Sequence, residues 1–356
     1  MDYITCLKAL VERSSLFAGK DVRITIIANP MAGGFSIKRR AMENRAVFDQ
    51  YLRDAQAKPV LTRSASIELL LTDAPGHARQ IARAVIGRIL CEKRSKSVDL
   101  VVTAGGDGTS LDVQTELARA FFEDGSRAIA ERVVILRLPY GTGNDGSDGR
   151  TLVESLDKLV APARIERQRA VRVHGKRNRD RPWYSFNIAS IGLDAFVTHM
   201  TNKLKGRFPG DFYKLWVDLA CVFYEKAYRV GTMRIRTVPA DGADALDVEG
   251  RFLLCLMGAS GNRTYGSNQR ILPDERNVCA VREMSLFRKL RLKGMFLSGR
   301  HAGLPEAILS GARRMEIDYG ETILAQFDGE SHRLKRDDFP LVMELTEPFI
   351  NVIKKE

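Results

Sequence analysis

The chain has 356 residues, 56 Lys+Arg against 44 Asp+Glu for a net charge of +12, and 44% hydrophobic residues. That apolar fraction excludes wholesale disorder, and the length fits two domains of about 100–200 residues each. No apolar run approaches the roughly 18 residues of a membrane-spanning helix, and the opening Met1-Asp2-Tyr3-Ile4-Thr5-Cys6 argues against a secretory signal.

Residues 1–20 read as an extra helix or arm. Val22 to Ala28 is a β-branched run that predicts a buried strand, ended by the turn cluster Asn29-Pro30-Met31-Ala32-Gly33-Gly34. A helix over Lys38–Ala55, a strand over Ser66–Leu71 and a helix over Ala78–Leu90 follow. Asp99–Ala104 predicts a third strand, stopped by Gly105-Gly106-Asp107-Gly108-Thr109, with a helix from about Ser110 to Phe122 behind it. Val133–Leu138 predicts a fourth, stopped by Pro139-Tyr140-Gly141-Thr142-Gly143-Asn144-Asp145. Strands alternating with helices predict a parallel, doubly wound α/β sheet, and such sheets bind ligands at the edge where these glycine clusters fall.

After about residue 160 the pattern changes to short alternating segments: Val171–Val173, Tyr184–Ile188, Met233–Arg236, Phe252–Met257 and Met315–Asp318. These predict a mostly antiparallel second domain, interrupted by helices near Phe212–Tyr228 and Lys289–Ser298. The expected domains are 1–160 and 161–338, with 339–356 returning to the first. The cysteines (Cys6, Cys91, Cys221, Cys255, Cys279) form no Cys-x-x-Cys pair and the five histidines are dispersed. The cysteines read as buried small hydrophobes in a reducing compartment, and no metal ligand is assigned.

The densest basic run, Arg164 to Arg181, suits nucleic acid, an anionic membrane or a polyphosphate. Only Trp183 and Tyr184 follow it, so no platform for stacking bases is present and nucleic acid is not expected. Three glycines around Asp107 place bare backbone N–H groups at a strand end ahead of a helix, a concave surface for phosphate oxygens. The clusters after the first and fourth strands would join it around one ligand. None contains a Rossmann or Walker glycine pattern, so phosphate charge must be met by backbone dipoles, a metal or other basic residues. Asp328-Gly329-Glu330 comes from the second domain. A carboxylate reaching an inter-domain cleft there could take a proton from an attacking hydroxyl, although composition alone favours a simple β-turn.

The segments Asn29-Pro30-Met31-Ala32-Gly33, Thr72-Asp73-Ala74-Pro75-Gly76-His77-Ala78, Gly105 to Thr109, Pro139 to Asp145, Asn187 to Ala195 and Asp328-Gly329-Glu330 stand in one order. In that order the chain resembles the diacylglycerol kinase catalytic family, soluble lipid kinases related to sphingosine kinases and more distantly to NAD kinases. The resemblance runs from about residue 22 to the C-terminus. It implies an α/β nucleotide-binding domain, a larger β-sandwich, and a last strand near Ile350 that returns to the first domain.

By the same resemblance, ATP is held by Asn29, Pro30, Gly33, Thr72, Gly105, Gly106, Asp107, Gly108, Thr109, Gly141, Thr142, Gly143, Asn144 and Asp145, with Glu330 close to it. Asp328 is implied as the general base and Mg²⁺ as the ion bridging the phosphates. The acceptor is a hydroxyl of diacylglycerol or a related lipid alcohol. A cytoplasmic protein associating peripherally with anionic membrane is expected, through Arg164–Arg181 and Lys203–Phe208, with a homodimer left open. A lipid slot along Phe212, Leu215, Trp216, Leu219, Val222 and Phe223 is set against simple core packing. An NAD kinase-like enzyme with a soluble acceptor and a non-catalytic nucleotide- or lipid-binding homologue are the alternatives. Three departures from the family pattern stand out: Asp112 where a glutamate is common, Ala32 in place of a serine, and no Asp-Gly after Pro273 to help hold a structural magnesium.

Overall fold

A computed structural model describes residues 3–92, 97–141, 144, 146–204, 224, 226–265 and 269–356. The chain divides into two units, Met1–Gln168 with Pro348–Glu356, and Arg169–Glu347.

The first unit is built on β1 (Asp21–Ala28), β2 (Ser64–Leu71), β3 (Ser97–Gly105), β4 (Val133–Pro139), β5 (Ala163–Gln168) and β19 (Ile350–Lys355), in the order β2-β1-β3-β4-β19-β5. All pairs are parallel except β19 with β5. β3 is buried along seven successive residues, as a strand covered on both faces must be, so it reads as a continuous apolar run. On one face Ile24, Ile26, Leu100, Val102, Val134 and Leu136 pack with α1 (Tyr3–Arg13), α3 (Lys38–Gln56) and α7 (Leu152–Val160). By alternation Ile27, Val101 and Ile135 point the other way, where α4 (His77–Cys91) and α5 (Asp107–Phe122) lie. Short helices α2 (Gly33–Ser36) and α6 (Ala128–Arg132) complete the unit.

The C-terminal strand is an interior strand of this sheet. Buried Asn351 fixes it, its side-chain amide donating to the carbonyls of Ala130 (2.9 Å) and Val133 (2.8 Å). The boundaries therefore fall at 168/169 and 347/348 rather than near 160 and 338. Ala163–Gln168 pairs with β19 and belongs to the first sheet, while Leu341–Leu345 pairs within the second.

The second unit contains β6 (Val171–His174), β7 (Trp183–Ser185), β8 (Ile188–Gly192), β9 (Thr232–Pro239), β10 (Asp247–Gly258), β11 (Arg263–Tyr265) and β12 (Gln269–Leu272). It continues through β13 (Val278–Arg282), β14 (Ala307–Ser310), β15 (Ala312–Tyr319), β16 (Ile323–Phe327), β17 (Glu330–Leu334) and β18 (Leu341–Leu345). Long β10 pairs β9 through residues 247–251 and pairs β8 and β13 through residues 252–258, so it serves two antiparallel halves. Their inner faces share one core: Val171, Val173, Met233, Ile235, Met315 and Ile317 meet Ala189, Ile191, Cys255, Met257, Ala280 and Phe327. The architecture is an α/β parallel-sheet unit followed by a mostly antiparallel β-sandwich unit. Outside the sandwich, α8 (Leu193–Leu204) and α9 (Leu286–Ser298) each join a smaller apolar cluster.

Tyr184–Ile188 is not one strand. It breaks between Ser185 and Ile188, where the backbone turns to a buried carboxylate. Most of Phe212–Tyr228, including the expected slot residues and Cys221, lies outside the described residues, as do Lys205, Gly206, Arg207 and Phe208.

Candidate active site

The glycine-bearing loops follow β1, β3 and β4, which are neighbours in the sheet, and backbone bonds stitch them together. The Asn29 N–H donates to the Ala104 carbonyl (2.9 Å), the Thr72 N–H to the Ala28 carbonyl (2.9 Å) and the Gly34 N–H to the Tyr140 carbonyl (2.8 Å). Asn29 also shapes its own loop: its side-chain oxygen accepts from the Met31 N–H at 2.9 Å. Gly34 lies so close to the Tyr140 ring that a Cβ would approach it to 2.4 Å, and Phe35 stacks on that ring at 4.2 Å.

Gly105 closes β3, Gly106 caps α5 and Asp107 opens it. No side chain caps this helix, so its first N–H groups face outward with the positive end of the dipole behind them. The Thr109 N–H turns back to the Gly106 carbonyl (3.1 Å), and a Cβ on Gly105 would strike the Thr109 hydroxyl at 2.5 Å. Gly108 faces open space. Asp107 spans to the third loop, accepting from the Gly146 N–H at 3.0 Å. Asn144, with φ of 59°, accepts from the Gly141 N–H at 2.8 Å.

Asn29, Pro30, Gly33, Thr72, Gly105, Gly106, Asp107, Gly108, Thr109, Gly141 and Asn144 thus sit on or beside adjoining strand ends of one sheet. Thr142, Gly143 and Asp145 lie outside the described residues.

Buried polar side chains brace these ends from behind. Arg137 projects from an otherwise apolar β4, pairs with Asp148 (2.8 Å) and donates to Gln114 of α5 (3.0 Å). Burial alone would raise the Asp148 carboxyl, but Arg137 and Lys158 outweigh it and hold it below the usual carboxylate range. Asp112 is bound by Arg79 of α4 at 2.6 Å. Arg40 of α3 lies against the first loop, its guanidinium 3.2 Å from where a Gly33 Cβ would stand.

In the second unit, β16 and β17 form a hairpin with Phe327 opposite Glu330 and Asp328-Gly329 as its two turn residues. Both have positive φ, 47° and 92°, the signature of a type I′ turn. The Asp328 carboxylate points back into the fold. It accepts from the Ser185 hydroxyl (2.6 Å) and from the N–H groups of Phe186, Asn187 and Ile188. Four donors match the roughly four lone-pair sites of a carboxylate. Burial raises the Asp328 carboxyl above its ordinary value, and these bonds recover only part of that rise.

A second buried acid lies behind the hairpin. Asp194, at the start of α8, accepts from the Ser190 hydroxyl, while Gln326 donates to Ser190 (2.9 Å) and accepts from the Gly329 N–H (2.9 Å). Burial pushes the Asp194 carboxyl up to about 6.

Among the described residues, no three His, Cys, Asp or Glu side chains group to hold a metal ion. Asp274 and Glu275, where the family pattern has a magnesium-holding segment, shape a turn instead. Asp274 is bonded to Arg276, and Glu275 accepts from Asn262 at 2.7 Å. The basic run Arg164–Arg181 is not one loop. It crosses β5, β6 and a turn, and Arg164, Arg172 and Arg177 pair with Glu166, Glu344 and Asp337.

Sequence reasoning missed Arg40, Ser185, Gln326 and Arg137. The last two had a signal, a lone polar residue in an apolar strand. Ser185 had none, because its partner is 143 residues away.

Residues 23–174 match the family model of the diacylglycerol kinase catalytic domain. That stretch carries all the glycine loops. It is 27% identical over 192 residues to a protein of Enterobacter sp. (strain 638) named "Probable lipid kinase YegS-like", covering 52% of this chain and 56% of the other. The chain thus spans little more than half the length of that curated relative. A solved diacylglycerol kinase structure from Bacillus anthracis str. Sterne superposes with a TM-score of 0.53 at 14% identity, over 93% of this chain and 96% of that one. A second structure from the same organism gives 0.57 at 16% identity over the same shares. At such identities the likeness is one of fold, and it extends across both units.

Proposed function

We propose that the chain transfers the terminal phosphoryl group of ATP to a hydroxyl of a membrane lipid, diacylglycerol or a related lipid alcohol. The observation that carries this reading is the set of adjoining glycine-bearing strand ends around the uncapped N-terminus of α5. Such a surface lets phosphate oxygens approach backbone N–H groups without a Cβ in the way. Arg40, beside Gly33, supplies the positive charge that a Walker lysine would otherwise provide. No described donor set fits a protein-held Mg²⁺, and no step is assigned to that ion.

Phosphoryl transfer asks the protein chiefly to position and to stabilise charge. In this reading the strand ends hold the nucleotide and Asp328 takes the proton of the lipid hydroxyl. Its raised proton affinity suits it to that task. Three of its four donors are backbone N–H groups, which cannot turn away; the Ser185 hydroxyl can. Rotation of Ser185 frees one lone pair for the incoming proton, and the same hydroxyl can then accept from the protonated acid.

The saturation of Asp328 also favours one competing reading, a nucleotide-binding protein without turnover. Incubation with labelled ATP and a panel of lipids, with Asp328→Asn alongside, separates the two. A phosphorylated lipid made by the native chain and not by the variant supports the kinase. ATP binding with no product from either supports the other.

A further inference from the structure

The helix α9 carries its apolar residues on the wrong side for a helix that only packs on a sandwich. Leu292 is buried, and Phe296 packs on the cluster formed by Leu254, Leu256, Ile271 and Val281. The opposite stripe, at spacings of three, four and three residues, is Phe287, Leu290, Gly294 and Leu297. Phe287 is 76% exposed, Leu290 45% and Leu297 38%. Among the described residues no other phenylalanine is exposed.

Charge says what suits this stripe. Residues 284–305 contain Arg288, Lys289, Arg291, Lys293 and Arg300 and no Asp or Glu. By helical spacing Arg291 and Lys293 lie on the two edges of the exposed stripe, Arg288 turns toward the inner face and pairs with Glu306 at 2.7 Å, and Arg300 follows the helix end. A second copy of the chain, meeting this face about a two-fold axis, would set the exposed Arg291 and Arg300 of one copy against those of the other. An anionic bilayer surface satisfies both features, taking the apolar side chains among its acyl chains and the cations at its headgroups.

We propose that α9 is the element by which the protein lies on an anionic lipid leaflet, Phe287, Leu290 and Leu297 inserting and Arg291 and Arg300 meeting the headgroup phosphates. This assignment rests on the lipid-kinase reading for its purpose, but its test does not depend on turnover.

The full chain is sedimented with vesicles of phosphatidylcholine alone and of phosphatidylcholine mixed with phosphatidylglycerol. Binding to the mixed vesicles that weakens with added salt is expected. Phe287→Glu combined with Leu290→Glu should lower the partition coefficient by about tenfold or more, since two apolar side chains no longer insert. Met42→Glu, at a 64% exposed position on α3, should leave it unchanged. Thermal melts of all variants report that the fold is kept. Equal sedimentation of the double variant and the native chain would overturn the proposal. So would equal binding to both vesicle types, or a double variant that changes only self-association in light scattering. Vesicle binding lost in the double variant, with no lipid phosphorylated by the native chain, would uphold the surface and sink the kinase reading instead.

Discussion

A Cβ placed on Gly141 would stand 2.6 Å from the Cα of Gly106. The loops after β3 and β4 therefore touch backbone to backbone, and only glycine at 141 permits it. Gly141→Ala should push the two loops apart, destabilise the chain by about 1–3 kcal/mol and weaken ATP binding. Gly108 is the contrast, since a Cβ there meets nothing within 4 Å. Gly108→Ala should keep the melting temperature and lose ATP affinity, because the added methyl faces the phosphates. Calorimetry with and without ATP checks both, and full ATP affinity in Gly108→Ala would contradict the placement of the phosphates.

Arg40→Ala should raise the KM for ATP several-fold with little change in melting temperature, because the side chain is exposed and lies beside the first loop. Steady-state kinetics across an ATP series measure it, and an unchanged KM would remove Arg40 from the site.

Removing the Ser185 hydroxyl tests the switchable donor. Ser185→Ala leaves Asp328 with its three backbone donors, so ATP binding should persist. The pH-rate profile should move, since the bond from Ser185 is the largest of those lowering the Asp328 proton affinity. Its acidic limb should shift to higher pH in the variant. An identical limb in both proteins would show that Asp328 is not the titrating base.

Asp194 provides a stability test away from the chemistry. Its carboxyl, near 3.8 when unfolded, titrates near 6 in the folded chain. The native state binds the proton more tightly, so this group's stabilisation is complete below about pH 4 and is lost as pH rises through about 6. The loss is on the order of 2–3 kcal/mol. Asp194→Asn should flatten that fall in urea titrations between pH 4 and 7, while a parallel fall in both proteins would place its cause elsewhere.

Much of the first unit was legible because β1, β3 and β4 are largely buried and end in glycine clusters, so composition marks both the strand and its tip. Asp99–Ala104 and Val133–Leu138 fall inside β3 and β4. The second unit was legible as short alternating segments but not as a sandwich. Nothing local in Asp247–Gly258 says that one strand serves two halves. Asp328-Gly329 shows the same limit: the pair announces a tight hairpin, whereas the direction of its carboxylate depends on Ser185 to Ile188. The course of Arg164–Arg181 was hidden for a related reason, since Glu344 and Asp337, the acidic partners of Arg172 and Arg177, are distant in sequence.

The central claim is that this chain moves a phosphoryl group from ATP to a lipid hydroxyl with Asp328 as the base. Incubation with labelled ATP and a total lipid extract, read by mass detection of the product, tests it most directly. The account predicts a phosphorylated lipid from the native chain and a fall of about 10²–10⁴-fold with Asp328→Asn, with ATP still bound. Near-native turnover by that variant, or ATP bound with no lipid product from the native chain, would contradict it.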